Sequence, residues 1–443
     1  MNEPQIPRVK FKTLGCRLNQ YETQAMREQF LRAGYLETDC DGEADFLVLN
    51  TCTVTSESDR EGRYLIRKFH RDHPTAKIVV TGCYVERNEN EIKEIPGVTM
   101  TVLNRQKSEI VNLLESCTTF TFAPELPSKR AYVPLKISKF EGRSRAYVKI
   151  QDGCNHACSF CKVVLVRGPS RSREMEDVVE EAKRLADQGF KEVVLTGIQL
   201  GAYGYDFSKH QMLCSLIERL SEISNLERIR LSSIEATDVS DTLIDLMASN
   251  EKFCPHLHIP LQSGDDQVLR RMNRRYNRSF YLDLIQNIRQ QVPDFVLTTD
   301  VMFGFPAETA GEFQNTVDLL TTAQPYKMHL FPYSTREGTK AARFHELVDN
   351  SEMTRRRDVL ALLEEKLRQQ VQKHFLGRRL FVLVEDLSTE TGWVAGRCAN
   401  YLKVKFLGDI TPGTLLEVQV DKIDGSDLAG QTTKLRSSAY AEC

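Results

Sequence analysis

Three short apolar runs near the start of the chain share one pattern: Val9-Lys10-Phe11-Lys12-Thr13-Leu14-Gly15-Cys16, Phe46-Leu47-Val48-Leu49-Asn50-Thr51-Cys52 and Ile78-Val79-Val80-Thr81-Gly82-Cys83. Each is β-rich and closes on a cysteine. Helical spacing follows, for example from Glu22 to Leu31 and from Asp59 to Phe69. This alternation predicts a parallel α/β sheet, with ligands expected beyond the carboxyl ends of its strands. A proline-rich, charged stretch from Ala123 to Pro134 reads as a linker. From Ala146 the alternation resumes, with strands near 146–150, 192–196, 228–232, 256–260, 296–301 and 327–331. Six such units predict an open barrel related to the (β/α)8 fold. A long charged helix, Ser351 to His374, leads to short strands at Phe381–Val384, Lys403–Phe406 and Leu415–Val420, which predict a small all-β barrel. The fold class is therefore α/β, in parts spanning 1–122, a linker at 123–139, 140–372 and 373–438.

A chain of 443 residues can bury about three separate cores. No apolar stretch is long enough to span a bilayer, and Met1-Asn2-Glu3-Pro4-Gln5 opens no signal peptide, so a cytoplasmic protein without a membrane partner is expected. In that compartment the 12 cysteines call for ligation or burial rather than disulfides. Burial is the default for Cys40, Cys117, Cys214, Cys254 and Cys398, and Cys443 has no assigned role. A net charge of −2 gives no global attraction to nucleic acid, so any such surface must be local.

The densest chemistry is Cys154-Asn155-His156-Ala157-Cys158-Ser159-Phe160-Cys161, a C-x3-C-x2-C loop directly after the first barrel strand. Three thiolates in one loop select an iron–sulfur cluster or zinc. A four-iron cluster held by three cysteines leaves one iron open to a substrate. The competing readings are a structural zinc loop and buried apolar cysteines, but the chain has no second C-x2-C arm to complete a zinc site. Cys16, Cys52 and Cys83 end equivalent strands and could converge on a common point. Cys254, His256 and His258 alternate along one strand face, where packing or hydrogen bonding is expected rather than a further metal.

Read together, Thr13-Leu14-Gly15-Cys16-Arg17-Leu18-Asn19-Gln20-Tyr21-Glu22, Asn50-Thr51-Cys52-Thr53-Val54-Thr55, Thr81-Gly82-Cys83-Tyr84 and the C-x3-C-x2-C loop resemble the radical S-adenosylmethionine (SAM) methylthiotransferases over nearly the whole chain. The resemblance implies an N-terminal methylthiotransferase domain, a radical SAM barrel and a terminal RNA-binding TRAM domain. It implies that Cys154, Cys158 and Cys161 are catalytic and hold a 4Fe-4S cluster with SAM on its open iron. It assigns Cys16, Cys52 and Cys83 to a second, auxiliary 4Fe-4S cluster that carries sulfur, and it places the two on facing strand ends with substrate between. SAM contacts are implied at Phe160, Thr196, Gly197, Gln199, Ser233, Glu235, Gln262 and Gly304. The family uses two SAM per product, methylating the sulfur with one and abstracting the hydrogen at carbon two of adenine with the other.

The run Gly15-Cys16-Arg17-Leu18-Asn19-Gln20-Tyr21-Glu22 looks most like the MtaB-type branch, which modifies N6-threonylcarbamoyladenosine beside the tRNA anticodon. Arg17 suits that substrate, because its cation could pair with the threonylcarbamoyl carboxylate. Asn19, Asn50 and Arg167 are implied as further substrate contacts. Implied partners are tRNA, a sulfur source and an electron donor such as flavodoxin or ferredoxin, and a monomer is expected. Alternatives are methylthiolation of isopentenyladenosine or of a ribosomal protein, and, outside enzymes, an iron–sulfur RNA-binding protein. The chain departs from the family at Lys162-Val163-Val164-Leu165-Val166 and at Ala236 and Ala307, frequent proline and glycine positions.

One strongly basic run remains. Arg270, Arg271, Arg274, Arg275 and Arg278 lie in nine residues without an acid, and helical spacing would put them on one face suited to tRNA phosphates. A solvated helix face is the competing reading. The terminal barrel is nearly neutral, so its RNA role rests on the resemblance.

Overall fold

The runs Phe46–Thr51 and Lys77–Gly82 are apolar on both faces because both faces are covered. In the computed structural model, which describes residues 6–40, 43–119, 128, 131–140, 142–207, 212–387 and 392–435, they form the centre of a sheet. The strands are β1 (Arg8–Thr13), β2 (Leu36–Glu37), β3 (Phe46–Thr51), β4 (Lys77–Gly82) and β5 (Val98–Val102), in the order β2-β1-β3-β4-β5. All the pairings are parallel. Alternate residues serve opposite faces: Leu47, Leu49, Ile78 and Val80 enter one core, Val48 and Val79 the other. Met1 to Gln5, Cys443, residues 436–438 and most of the proposed linker's first half lie outside the described residues.

The second layer contains β6 (Ala146–Lys149), a short ladder of β7 (Gln151–Asp152) with β8 (Arg171–Ser172), then β9 (Glu192–Thr196), β10 (Arg228–Leu231), β11 (His256–His258), β12 (Val296–Phe303) and β13 (Lys327–Pro332). Parallel pairing runs β6-β9-β10 and β11-β12-β13, and the bridges Ile229↔Phe253 and Ser233↔His258 join the two halves. Among the described residues β6 and β13 share no ladder, so the six-stranded barrel is open along one side. The predicted strands fall within a few residues of the observed ones.

The helix Asn350–Lys373 leads to a closed barrel of β14 (Arg379–Leu387), β15 (Trp393–Cys398), β16 (Lys403–Leu407), β17 (Leu415–Asp424) and β18 (Asp427–Leu435). It docks at the starts of β9 and β10. Arg228 donates to the carbonyls of Phe381 and Arg397, and Arg230 to those of Cys398 and Ala399 while paired with Glu192. Tyr401 stacks on His256 with ring centroids 4.3 Å apart. The terminal barrel thus plugs the end of the open barrel opposite the cysteine loops.

The arginine run is not one helix, which corrects the sequence expectation. The helix Asp266–Arg271 ends at Met272, Asn273 takes a left-handed φ of 58°, and a new helix, Arg278–Gln291, starts after Asn277 caps it by accepting from the Phe280 amide. Helical spacing alone could not show the break.

Candidate active site

The N-terminal cysteines and, through Cys161, the barrel's cysteine loop open onto one cavity of about 220 Å³. Cys16, Cys52 and Cys83 line it from the N-terminal sheet; Phe160, Cys161, Val163, Val166 and Arg167 face them from the barrel; Gln262, Asp300, Met302 and Phe331 close the floor. A wider open hollow of about 430 Å³ near Arg143, Gln188 and Pro412 carries no thiol. Cys52 follows β3, Cys83 follows β4, and Cys16 caps the helix Arg17–Arg32. Gly15 has a φ of 95°, and a Cβ there would stand 2.8 Å from the Cys52 sulfur, so a glycine is what lets the first loop close on the second.

The thiols are poor thiolates on their own. Burial pushes Cys52 and Cys154 up to about 11 and Cys161 up to about 12, and raises Cys83. The protein nevertheless surrounds the sulfurs with donors. The amides of Val54, His156 and Val163 point at Cys52, Cys154 and Cys161 at 3.4, 3.2 and 3.4 Å. Arg167 Nε donates to Cys83 Sγ at 3.2 Å, and Arg274 Nη1 to Cys158 Sγ at 3.4 Å. Neutral thiols do not call for this arrangement; metal-bound thiolates do.

Charge counting agrees. Around Cys83, Lys107, Lys149, Arg167 and Arg171 gather on two carboxylates, Glu22 and Asp152, so four cations face two acids in a buried space. These cations hold Glu22 well below the usual carboxylate range against its burial. The excess positive charge is costly unless an anionic group sits beside it, and a cluster on three thiolates is such a group. Both cysteine triads fit an iron–sulfur ligand set with one iron left open.

Other expected contacts divide sharply. Phe160 and Gln262 line the cavity, Gln262 with a left-handed φ of 64°. Thr196, Gly197 and Gln199 stand at the end of β9, where Gln151 Oε1 accepts from the amides of Ile198 and Gln199, and Gln199 in turn holds Asn155 and His156 of the cysteine loop. Ser233 is exposed past β10, and Glu235 is ion-paired to Arg274. Gly304 has a packing reason: a Cβ there would strike the thioether of Met353.

Asn50 and Arg167 have no atom left for a substrate. Asn50 Nδ2 donates to Asn19 O and Thr23 Oγ1, while its Oδ1 accepts from Lys107. Arg167 is buried and spends its donors on Cys83, Glu22, Asp152 and Asn19. Asn19 borders the cavity but is fully bonded to Leu14 O, Thr51 O and Arg167. Arg271 grips Glu312, Arg278 reaches Asn315 O, and Arg274 is turned inward, so of the five arginines only Arg270 and Arg275 are exposed. Arg17 lies 5.9 Å over the Tyr147 ring on β6, an edge strand of the open barrel, near enough to His256 and Tyr401 for its charge to act on both, and makes no hydrogen bond or ion pair among the described residues.

Cys214, Cys254 and Cys398 are buried as expected, but Cys40 is exposed. Sequence reasoning missed Arg336, which lines the cavity and ties the barrel to the N-terminal sheet through Thr53 and Asp59. It also missed the trio His258, Asp300 and His329. Neither carries a spacing signal, because their partners come from distant strands.

Comparison with known proteins agrees with this site. Residues 148–320 match the radical SAM superfamily and residues 8–104 the uncharacterized protein family UPF0004. A threonylcarbamoyladenosine tRNA methylthiotransferase MtaB of Bacillus subtilis (strain 168) is 37% identical over 422 residues, 94% of each chain. A tRNA-2-methylthio-N(6)-dimethylallyladenosine synthase of Acetivibrio thermocellus is 31% identical over 95% of this chain and 90% of its own. The structure of the radical SAM methyltransferase TsrM from Kitasatospora setae superposes with a TM-score of 0.54 at 14% identity, covering 73% of this chain and 72% of that one, which shows a shared fold. With its two thiol triads intact and this similarity running almost end to end, the chain belongs to the radical SAM tRNA methylthiotransferases.

Proposed function

We propose that the protein transfers a methylthio group to carbon two of N6-threonylcarbamoyladenosine at position 37 of tRNA. The observation that carries this reading is the cavity itself: Cys16, Cys52 and Cys83 of the N-terminal sheet and Cys161 of the barrel's three-cysteine loop line one space of about 220 Å³. When loaded, the Cys154, Cys158 and Cys161 site with SAM would supply hydrogen abstraction, and a second 4Fe-4S group on Cys16, Cys52 and Cys83 a methylated sulfur, at two SAM per product.

The chain's own residues do the rest. Val163, Val166, Met302 and Phe331 give the cavity apolar walls that exclude water around a flat base. Arg167 and Arg274 hold one sulfur of each triad, and Arg336 locks the sheets together so that the two sites keep their spacing. Arg17, with its guanidinium uncommitted beside the edge strand β6, suits the carboxylate of a threonylcarbamoyl group; an isopentenyl group would leave it unpaired. Arg270 and Arg275 are available to phosphates. No helix among the described residues is long and apolar enough to cross a membrane, and a cytoplasmic site of action with a flavodoxin- or ferredoxin-type donor suits the substrate.

The test is anaerobic turnover with SAM and reductant on two tRNAs, one carrying threonylcarbamoyladenosine and one isopentenyladenosine. Methylthiolation of the first is expected, with Arg17→Gln raising its KM about tenfold or more. Preferred turnover of the isopentenylated tRNA would overturn the assignment.

A further inference from the structure

His258, Asp300 and His329 form a cluster on the inner face of the open barrel, at the edge of the cavity. His258 Nε2 lies 3.0 Å and His329 Nδ1 3.3 Å from Asp300 Oδ1. Two imidazoles and a carboxylate within reach of one another would suit a divalent cation, but the protons argue otherwise. Thr298 Oγ1 is 3.0 Å from both His258 Nδ1 and His256 Nε2, and its single proton serves one ring while the other ring donates to it.

Buried His256 is held neutral, and its Nδ1 has no partner among the described residues. Its one proton therefore belongs on Nε2, donated to Thr298, since an orphaned buried N–H would cost about 1–3 kcal/mol. Thr298 then donates to His258 Nδ1, and His258 carries its own proton on Nε2, aimed at Asp300. A protonated ring nitrogen binds no metal. Asp300 accepts from both imidazoles, which fixes His329 with Nδ1–H inward and leaves its Nε2 uncommitted.

That free atom is well placed. His329 is half-exposed on β13, one lip of the barrel opening, and its ring lies 6.5 Å from Phe331, which lines the cavity together with Asp300. Arg17 lies over Tyr147 of β6, the opposite edge strand. A base seated in the cavity with its N6 edge toward Asp300 would bring a substituent on that edge to His329, which is bonded to the same carboxylate.

We propose that His329, turned by Asp300 and the His256–Thr298–His258 chain so that Nε2 faces outward, takes up a second proton there from solvent as the substrate binds, pairs as an imidazolium with the carboxylate of the substrate's N6 substituent, and is a specificity-determining residue. The proposal rests on the methylthiolation reading given above. Asp300 and His258 are positioning residues in it.

The test uses the reconstituted holoenzyme and anticodon stem-loop RNAs carrying threonylcarbamoyladenosine, its methyl ester, or plain adenosine. The wild-type enzyme should bind the acid about ten- to hundredfold more tightly than the ester, as for a charged hydrogen bond. His329→Phe should cut that preference several-fold, leaving the share that Arg17 supplies. His329→Gln, whose amide can donate from near the Nε2 position, should recover part of it, and both variants are compared at matched thermal stability.

A His329→Phe enzyme that keeps the full wild-type preference for the acid overturns the proposal, as does a non-iron metal present at one per chain and lost in both variants. A wild type that prefers threonylcarbamoyladenosine to adenosine but ignores esterification leaves the functional reading standing and overturns only this inference. A wild type indifferent to all three RNAs overturns both.

Discussion

Arg167 and Arg274, both from the central barrel, play matching parts for the two cysteine sets, each giving an N–H to one cysteine sulfur while carboxylates balance its charge. The cysteines themselves were legible in the sequence, because three thiols at C-x3-C-x2-C spacing are unusual and their chemistry travels with their identity. The arginines were not: Arg167 reads as a cation available to RNA, yet its partner Glu22 lies 145 positions away. Removing one member of a buried charge network strands the others, so Arg167→Gln should cost about 3–5 kcal/mol in denaturant unfolding. In a protein with Cys154, Cys158 and Cys161 replaced by serine, about four irons should remain per chain on the other triad, and adding Arg167→Gln should lower that number. Full iron loss from the serine variant alone would contradict a second cluster.

At the scale of elements, strand positions were readable because a parallel sheet covered on both faces leaves continuous apolar runs. The arginine run misled for a physical reason: spacing suggests a shared helix face only if the helix continues, and Asn273 and Asn277 end one helix and cap the next. Replacing Arg270 and Arg275 with alanine should flatten the salt dependence of tRNA binding by roughly 0.7 to 0.9 in log–log slope per lost contact. The same change at Arg271 should instead lower stability through loss of its bidentate grip on Glu312. Ala307 shows a different mismatch, since its φ of 60° is a glycine-like conformation held by an alanine. Relief of that strain should make Ala307→Gly stabilising, by about 1 kcal/mol in denaturant unfolding.

Across the whole molecule, the terminal barrel is a fixed plug on the central one, a relation invisible in sequence because Arg228 and Arg230 bond to backbone carbonyls, which carry no residue identity. His256, stacked on Tyr401, sits at that junction, and burial together with Arg230 keeps its pKa well below the usual value. The unfolded chain takes up a proton there below about pH 6.5 while the folded one resists it, so stability is full above that pH and falls as the solution is acidified. At pH 5.5 the loss from this group should be about 1.4 kcal/mol, and His256→Gln should remove that share of the pH dependence.

The central claim is that the two thiol sets and the uncommitted donors at the barrel opening serve one modified adenosine. Nucleoside mass spectrometry of total tRNA from cells with and without the gene tests it most directly. The account predicts that 2-methylthio-N6-threonylcarbamoyladenosine disappears in the mutant while its unmethylthiolated precursor accumulates. Unchanged levels of that nucleoside, or loss of the isopentenyl counterpart in its place, would contradict it.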